Sequence, residues 1–102
     1  MKTIYLDNAA TTPILPEVID TITEAMVGVY GNPSSIHHVG RKAKSLVETA
    51  RKNIAKKFNV TASEIVFTAG GSEADNLIIR NAVTNLGVTK IISSKIEHHA
   101  VL

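Results

Sequence analysis

Residues 68–76 contain the residue types best suited to bind an anion. Gly70 and Gly71 follow an apolar run at residues 65–67, and Ser72 opens a stretch with helical spacing. The first N–H groups of a helix have no partner within the helix, and the helix dipole favours negative charge beside them. The glycines let a phosphate approach the backbone, and the serine hydroxyl can donate one more hydrogen bond. The segment has neither the GK[ST] ending of a P-loop nor GxGxxG spacing, so it predicts a phosphate held in some other cofactor.

The same residues also fit an ordinary helix cap. Ser72 followed three residues later by Asp75 is typical of a capping box, which needs no ligand. Both interpretations can hold together, because a capping hydroxyl already lies beside the unpaired N–H groups.

A second candidate group is formed by Glu97, His98 and His99, which directly follow a predicted strand at residues 90–94. Ligands in open α/β sheets bind at the carboxyl ends of the strands, so we expect this group near the glycine turn. An imidazole there can stack on a flat ring or move protons near neutral pH; the alternative is a histidine without a ligand. We expect no metal, since the chain's four histidines form two adjacent pairs and no CxxC or HExxH spacing occurs.

Hydrophobic spacing predicts the elements that position these groups. Apolar residues three or four apart predict one helix from Glu17 to about residues 28–31, and a longer one over residues 38–58. A third helix is predicted from Ser72 to about Gly87. The apolar face of each helix is expected to be buried. Short strands are predicted at residues 4–6, 65–67 and 90–94.

The order of these elements predicts the fold class. A strand, a glycine turn, a helix and a second strand occur within about 30 residues, which is the alternation of a mostly parallel sheet flanked by helices. The sequence therefore predicts an α/β fold. Since the chain contains no cysteine, its stability must come from packing rather than disulfides.

Composition narrows the functional classes. The chain is 44% hydrophobic and 20% charged, as expected for a folded domain, and its net charge is only +2. Basic residues at 41–57 alternate with Glu48 and apolar positions, which favours a solvated helix face over a nucleic-acid patch. Asp7 lies where a secretory signal would be apolar, and no run approaches the roughly 18 apolar residues of a membrane span. We expect a cytoplasmic protein that binds neither nucleic acid nor membrane.

Four motifs occur in order along the chain. They are YLDNAATTP at residues 5–13, GNPSS at 31–35 with His37 and Gly40 following, TAGGSEADN at 68–76 and EHHAVL at 97–102. Together they resemble the NifS/IscS-type cysteine desulfurases, which belong to the class V aminotransferases. The resemblance covers essentially the whole chain.

The resemblance implies a structural assignment. The chain would be the N-terminal part of a fold-type I enzyme that depends on pyridoxal 5′-phosphate (PLP), with residues 1–30 in the small domain or its junction. Residues 31–102 would begin the PLP-binding large domain. By the same resemblance, Gly70, Gly71 and Ser72 bind the cofactor phosphate, and His98 stacks on the pyridine ring and assists proton transfer.

This sequence departs from the family pattern at four positions. Ala69 replaces a serine, Gly71 an alanine or other small residue, and Ser72 a threonine. All three replacements are small, and Ser72 keeps a hydroxyl. His99 stands where many relatives have lysine, and we assign it no role.

The resemblance also implies a reaction. Sulfur from L-cysteine passes to an enzyme cysteine as a persulfide, with release of L-alanine, for iron–sulfur cluster or thio-cofactor assembly. In the family, the Schiff-base lysine, the aspartate at the pyridine nitrogen and the accepting cysteine all follow the EHHAVL-like motif. We therefore expect an inactive fragment of a homodimeric enzyme that has a sulfur-acceptor or scaffold protein as partner. The alternatives are another class V enzyme, either a selenocysteine lyase or an aminotransferase, and a non-catalytic phosphate-binding module.

The family's sheet also predicts how this piece behaves alone. The family strands that correspond to residues 65–68 and 90–94 of this chain are not neighbours in that sheet. The strands between them come from later sequence. Their edges would be unpaired, so we expect the isolated piece to be poorly stable, aggregated or completed by another chain.

Overall fold

The computed structural model describes residues 3–102, which form two compact units. The first unit ends at Ala62, and the second is Ser63–Leu102. The first contains helices α1 (Pro16–Gly28) and α2 (His38–Phe58), and the second contains helix α3 (Gly71–Asn85). A short 3-10 helix spans Ala62–Glu64. The domains predicted by resemblance, residues 1–30 and 31–102, stay a prediction, and the first two residues lie outside the described part.

Helix α1 begins at Pro16, one residue before the predicted Glu17. Pro16 occupies the first turn, where its fixed φ suits the helix and its missing N–H has no bond to lose. The helix ends at Gly28, whose carbonyl oxygen accepts a hydrogen bond from Nζ of Lys42 on α2 at 2.9 Å. This cation pairs with the negative end of the helix dipole.

Helix α2 confirms the prediction for residues 38–58. His37 is its N-cap, and Nδ1 of that imidazole accepts a hydrogen bond from the N–H of Gly40 at 3.3 Å. The helix ends at Asn59, which adopts the left-handed conformation with φ of 54°. One ion pair, Arg51 with Glu48 at 3.3 Å, lies along the helix.

The GNPSS loop packs tightly against the start of α2. Oδ1 of Asn32 accepts from the N–H of Ser34 at 2.9 Å, and its carbonyl oxygen accepts from the N–H of Ser35 at 3.0 Å. A Cβ added to Gly40 would lie 2.5 Å from the Ser35 carbonyl oxygen and 2.6 Å from that of Asn32. Gly40 is therefore required by close backbone approach, and its place in this motif has a structural explanation.

Helix α3 starts one residue before the predicted Ser72 and ends two residues before Gly87. Gly87 has φ of 68°, and beyond the helix the N–H of Val88 donates to the Ala82 carbonyl at 3.0 Å. This left-handed glycine just past the helix is the common way to satisfy the last carbonyl groups.

The three predicted strands do not form. Residues 4–6, 65–67 and 90–94 carry no strand assignment, and no strand occurs anywhere in residues 3–102. A strand is defined by its hydrogen-bonded ladder to a neighbouring strand, and none of these three segments forms such a ladder with a described residue. The fold is helical here, and the sheet of the predicted α/β fold is not confirmed.

The apolar helix faces expected to be buried are largely open. In the described part of the chain the buried residues are Gly40, Ala43 and Ala55, all on α2. On α3, the side chains of Leu77 and Ile78 are 51% and 66% exposed. The apolar spacing therefore predicts the helices correctly, but the burial of their apolar faces is not observed in residues 3–102.

Within residues 3–102, no helix is both long enough and apolar enough to cross a membrane.

Candidate functional site

The turn before α3 presents backbone donors that the protein leaves unused. Gly70 is the N-cap, and its carbonyl oxygen accepts the first helical bond, from the N–H of Ala74, at 3.1 Å. The amides of Gly71, Ser72 and Glu73 precede that bond. Among residues 3–102 none of these three amides has a hydrogen-bond acceptor. Three adjacent donors at the positive end of a helix dipole form a site that favours an anion.

The prediction that Ser72 caps α3 is wrong. The N-cap is Gly70, and it makes no side-chain capping bond. Gly71 is the first helical residue, which places Ser72 inside the first turn, past the N-cap position from which a side chain accepts hydrogen bonds from the free amides. The capping box with Asp75 is therefore absent, and the Ser72 hydroxyl has no hydrogen bond to any described residue. The ligand-binding interpretation of Ser72 no longer competes with a cap.

Sequence reasoning missed the residue that does brace this turn. Oε2 of Glu73 accepts a hydrogen bond from the N–H of Ala69 at 2.7 Å, reaching back across both glycines. The hydroxyl of Thr68 donates to the Gly70 carbonyl oxygen at 3.1 Å. A glutamate three residues after the helix cap is the acidic half of a capping box, so the signal was present but was assigned to Asp75 instead.

The glycines of the turn are not explained by local structure. A Cβ added to Gly70 or Gly71 would meet no atom within 4 Å, and neither residue has φ in the left-handed range. Gly70 is extended, with φ of 173°. Gly31 and Gly40 differ, because an added Cβ there would collide with backbone atoms. Unpaired amides beside glycines that have open space around them leave room for a phosphate, so the residues present fit a phosphate group.

His98 lies in a tight turn near the end of the chain. Its carbonyl oxygen accepts from the N–H of Val101 at 2.8 Å, and its Nδ1 accepts from the N–H of Ala100 at 3.1 Å. The ring is exposed and lies 6.2 Å from that of His99, at 61°. Because Nδ1 accepts a hydrogen bond, the neutral ring carries its proton on Nε2. Both the ring faces and the Nε2–H group are thus available to a ligand.

The glycine turn and His98 both belong to the second unit, but no hydrogen bond or ring contact joins them among the described residues. Their proximity was predicted from the edge of a sheet, and that sheet is not formed. It stays a prediction. The open groove beside the turn, of about 270 Å³, is lined by Glu64, Val66, Thr68, Ala74, Leu77 and Ile78. This mostly apolar lining, to which α3 contributes Ala74, Leu77 and Ile78, is suited to packing rather than to an anion.

A family model and individual relatives both show which proteins this chain is similar to. The family model described as aminotransferase class-V matches residues 4–102. The cysteine desulfurase IscS of Dictyoglomus turgidum is 45% identical over 103 residues, which cover 99% of this chain and 26% of that protein. The putative cysteine desulfurase IscS 1 of Bacillus subtilis is 48% identical over 105 residues, covering 100% of this chain and 27% of the relative. The selenocysteine lyase of Bos taurus is 48% identical over 82 residues, covering 80% of this chain and 19% of the relative.

The chain thus spans about a quarter of the length of the desulfurases it matches.

Proposed function

From the premise that this chain belongs to the aminotransferase class-V family, we propose that it is the N-terminal part of a PLP-dependent cysteine desulfurase. The whole enzyme would convert L-cysteine to L-alanine and pass the sulfur to an enzyme cysteine, for iron–sulfur cluster or thio-cofactor assembly. We place it in the cytoplasm as a homodimer with a sulfur-acceptor or scaffold partner. High identity to two desulfurases along nearly all of this chain supports the proposal.

One observation carries the cofactor assignment. The amides of Gly71, Ser72 and Glu73 have no acceptor among residues 3–102, and the space beyond Gly70 and Gly71 is open. We assign these amides and the Ser72 hydroxyl to the cofactor phosphate. These donors are neutral. Their hydrogen bonds to a phosphate dianion are strengthened by the negative charge of the acceptor. When bound, PLP supplies the electron sink for bond breaking at the α-carbon of the substrate.

We assign His98 to the cofactor ring. Its exposed faces are suited to stacking on a flat aromatic group, and its backbone-bonded Nδ1 leaves Nε2 as the atom that holds or exchanges a proton. The hydrogen bond from Ala100 also limits rotation of the imidazole, so the ring is already oriented before a ligand arrives. Positioning of this kind lowers the entropic cost of binding.

The sulfur-accepting group must lie outside these residues, because the chain contains no cysteine. In this proposal residues 3–102 contribute part of the phosphate site and one ring-stacking face, and they do not turn over substrate by themselves.

A selenocysteine lyase is the second candidate. It is favoured by the Bos taurus selenocysteine lyase, which equals the Bacillus subtilis relative in identity, although over fewer residues. The two activities differ in the element that leaves the β-carbon of the substrate.

The test is to express the full reading frame that encodes these residues and to measure alanine release from L-cysteine and from L-selenocysteine. Alanine from L-cysteine, with matching sulfide under reducing conditions, is the expected result. Alanine from L-selenocysteine alone would replace the desulfurase with the lyase. If neither substrate yields alanine while the phosphate turn still binds its ligand, the chain is a non-catalytic phosphate-binding module and the proposal fails.

A further inference from the structure

The peptide group that joins Gly70 to Gly71 is held in place at its carbonyl oxygen. The Gly70 carbonyl oxygen accepts two hydrogen bonds, from the Thr68 hydroxyl at 3.1 Å and from the N–H of Ala74 at 3.1 Å. In a planar trans peptide the next residue's N–H points away from that carbonyl oxygen. Thr68 and the first turn of α3 therefore fix the direction in which the Gly71 amide points.

Glu73 holds the preceding part of the turn. Its Oε2 accepts from the Ala69 N–H at 2.7 Å, a length typical of charge-assisted hydrogen bonds. The bond closes a loop around Gly70 and Gly71. Glycine has more conformational freedom to lose than any other residue, so two adjacent glycines are the part of this chain that most needs such a brace.

The charge of Glu73 works against the proposed ligand. A carboxylate and a phosphate repel each other, so any gain in affinity from this residue must come from its acceptor oxygen and not from its charge. The Ala69 N–H occupies that oxygen, which keeps the carboxylate from capping its own helix. The three amides at residues 71–73 are left free.

We propose that Glu73 and Thr68 are positioning residues, which preorganise the glycine turn so that the amides of Gly71, Ser72 and Glu73 converge on a phosphate. Neither side chain is required to touch the phosphate. Preorganisation raises affinity because the turn does not have to be ordered at the moment of binding. This inference rests on the proposed function, since it assigns a purpose to the turn only if a phosphate binds there.

The test uses the whole chain and pyridoxine 5′-phosphate, which has no aldehyde and so does not react with lysines. Affinity is measured by two-dimensional amide NMR for the unchanged chain, Glu73→Ala and Glu73→Gln. Loss of the acceptor in Glu73→Ala is expected to weaken binding about tenfold, the effect of one charge-assisted hydrogen bond. Glu73→Gln keeps an acceptor oxygen and is expected to bind within about twofold of the unchanged chain.

Asp75→Ala is the matched control. Asp75 is another carboxylate at the start of α3, and its side chain makes no hydrogen bond to any described residue. Removing it tests the effect of charge alone, and the expected affinity is equal to that of the unchanged chain or slightly higher. Equal weakening in Asp75→Ala and Glu73→Ala would overturn the inference, because the effect would then not depend on the Ala69 bond.

A readout without ligand separates this inference from the proposed function. Hydrogen exchange of the Ala69 amide is expected to be faster in Glu73→Ala and unchanged in Glu73→Gln. If the unchanged chain is folded and does not bind pyridoxine 5′-phosphate, the assignment of the turn to the cofactor phosphate fails, whatever the exchange of Ala69. If it binds and Glu73→Ala binds equally well, the proposed function stands and the positioning role is wrong.

A second pair of variants covers the case in which Glu73→Ala unfolds α3. Thr68→Val keeps the side-chain shape but removes the hydroxyl that donates to Gly70, and Thr68→Ser keeps the hydroxyl. We expect about fivefold weaker binding in Thr68→Val, and recovery in Thr68→Ser. Binding by Thr68→Val that equals that of the unchanged chain would overturn the role of Thr68.

Discussion

Nδ1 of His98 accepts a hydrogen bond from the backbone N–H of Ala100 at 3.1 Å. The donor lies two residues along the chain, so the bond depends on the local turn and not on any distant element. The adjacent His99 makes no hydrogen bond to a described residue, although its ring centroid is 6.2 Å from that of His98. The two neighbouring imidazoles thus differ in whether Nδ1 accepts a backbone hydrogen bond, and that bond decides which nitrogen carries the proton.

We predict that neutral His98 is the Nε2–H tautomer. Long-range nitrogen–proton NMR correlations of the imidazole rings distinguish the two tautomers at a pH where both histidines are neutral. His99 serves as the control and is expected to show a mixture, because no backbone bond selects one of its nitrogens. A neutral His98 with its proton on Nδ1 would contradict the observed turn.

We predict that Ser72→Ala weakens the binding of inorganic phosphate and leaves α3 intact. The hydroxyl makes no capping bond, so its removal should not change helix content by circular dichroism. One hydrogen bond lost to a charged ligand corresponds to about tenfold in affinity. Ser72→Thr, which keeps the hydroxyl, is the control. A loss of helix content in Ser72→Ala would restore the capping interpretation.

We predict that Gly70→Val blocks the approach of a phosphate without disturbing the chain. Its side chain would enter space in which no protein atom lies within 4 Å, so the protein itself has room for it. Phosphate affinity is expected to fall at least about tenfold, because the side chain occupies the ligand's volume and not because a bond is lost. Gly28→Val makes the same change at another open position, outside the site, and should bind phosphate as the unchanged chain does.

We predict that Lys42→Met loosens the end of α1. Removal of the ammonium that donates to the Gly28 carbonyl should cost about 0.5 kcal/mol, the usual value for a cation at a helix C-terminus. Hydrogen exchange of amides in the last turn of α1 should become roughly twofold faster. Lys44→Met is the matched control, since the side chain of Lys44 on the same helix makes no hydrogen bond to a described residue. Equal acceleration in both variants would show that net charge, not this contact, is responsible.

The helices could be predicted from the sequence because their signals are local. The apolar spacing of α1 and α2, and Gly87 just past α3, are signals that act within a few residues of the chain. The strands could not be confirmed, since strand formation depends on partners elsewhere in the chain. Leu77 and Ile78 on α3 are exposed, because no sheet covers them among the described residues.

The part of the candidate site that depends on local signals could be predicted from the sequence, and the rest could not. The glycine turn and its unpaired amides follow from a strand-to-helix junction, and the sequence locates them to within one residue. The brace by Glu73 was missed because two acids, Glu73 and Asp75, both lie near the helix start, and the choice between them depends on whether Gly71 is helical. Spacing alone does not decide that conformation. The predicted approach of His98 to the turn depends on a sheet edge, which local patterns do not supply.

The most direct measurement is a titration of the chain with pyridoxine 5′-phosphate and, in parallel, with pyridoxine, followed through the backbone amide signals. The account predicts that the phosphorylated compound shifts the signals of Gly71, Ser72 and Glu73 most strongly and saturably, and that pyridoxine leaves them in place. Helical amides of α2 report whether the chain stays folded. Equal shifts with both compounds, or a folded chain whose Gly71, Ser72 and Glu73 signals do not move, would contradict the central claim.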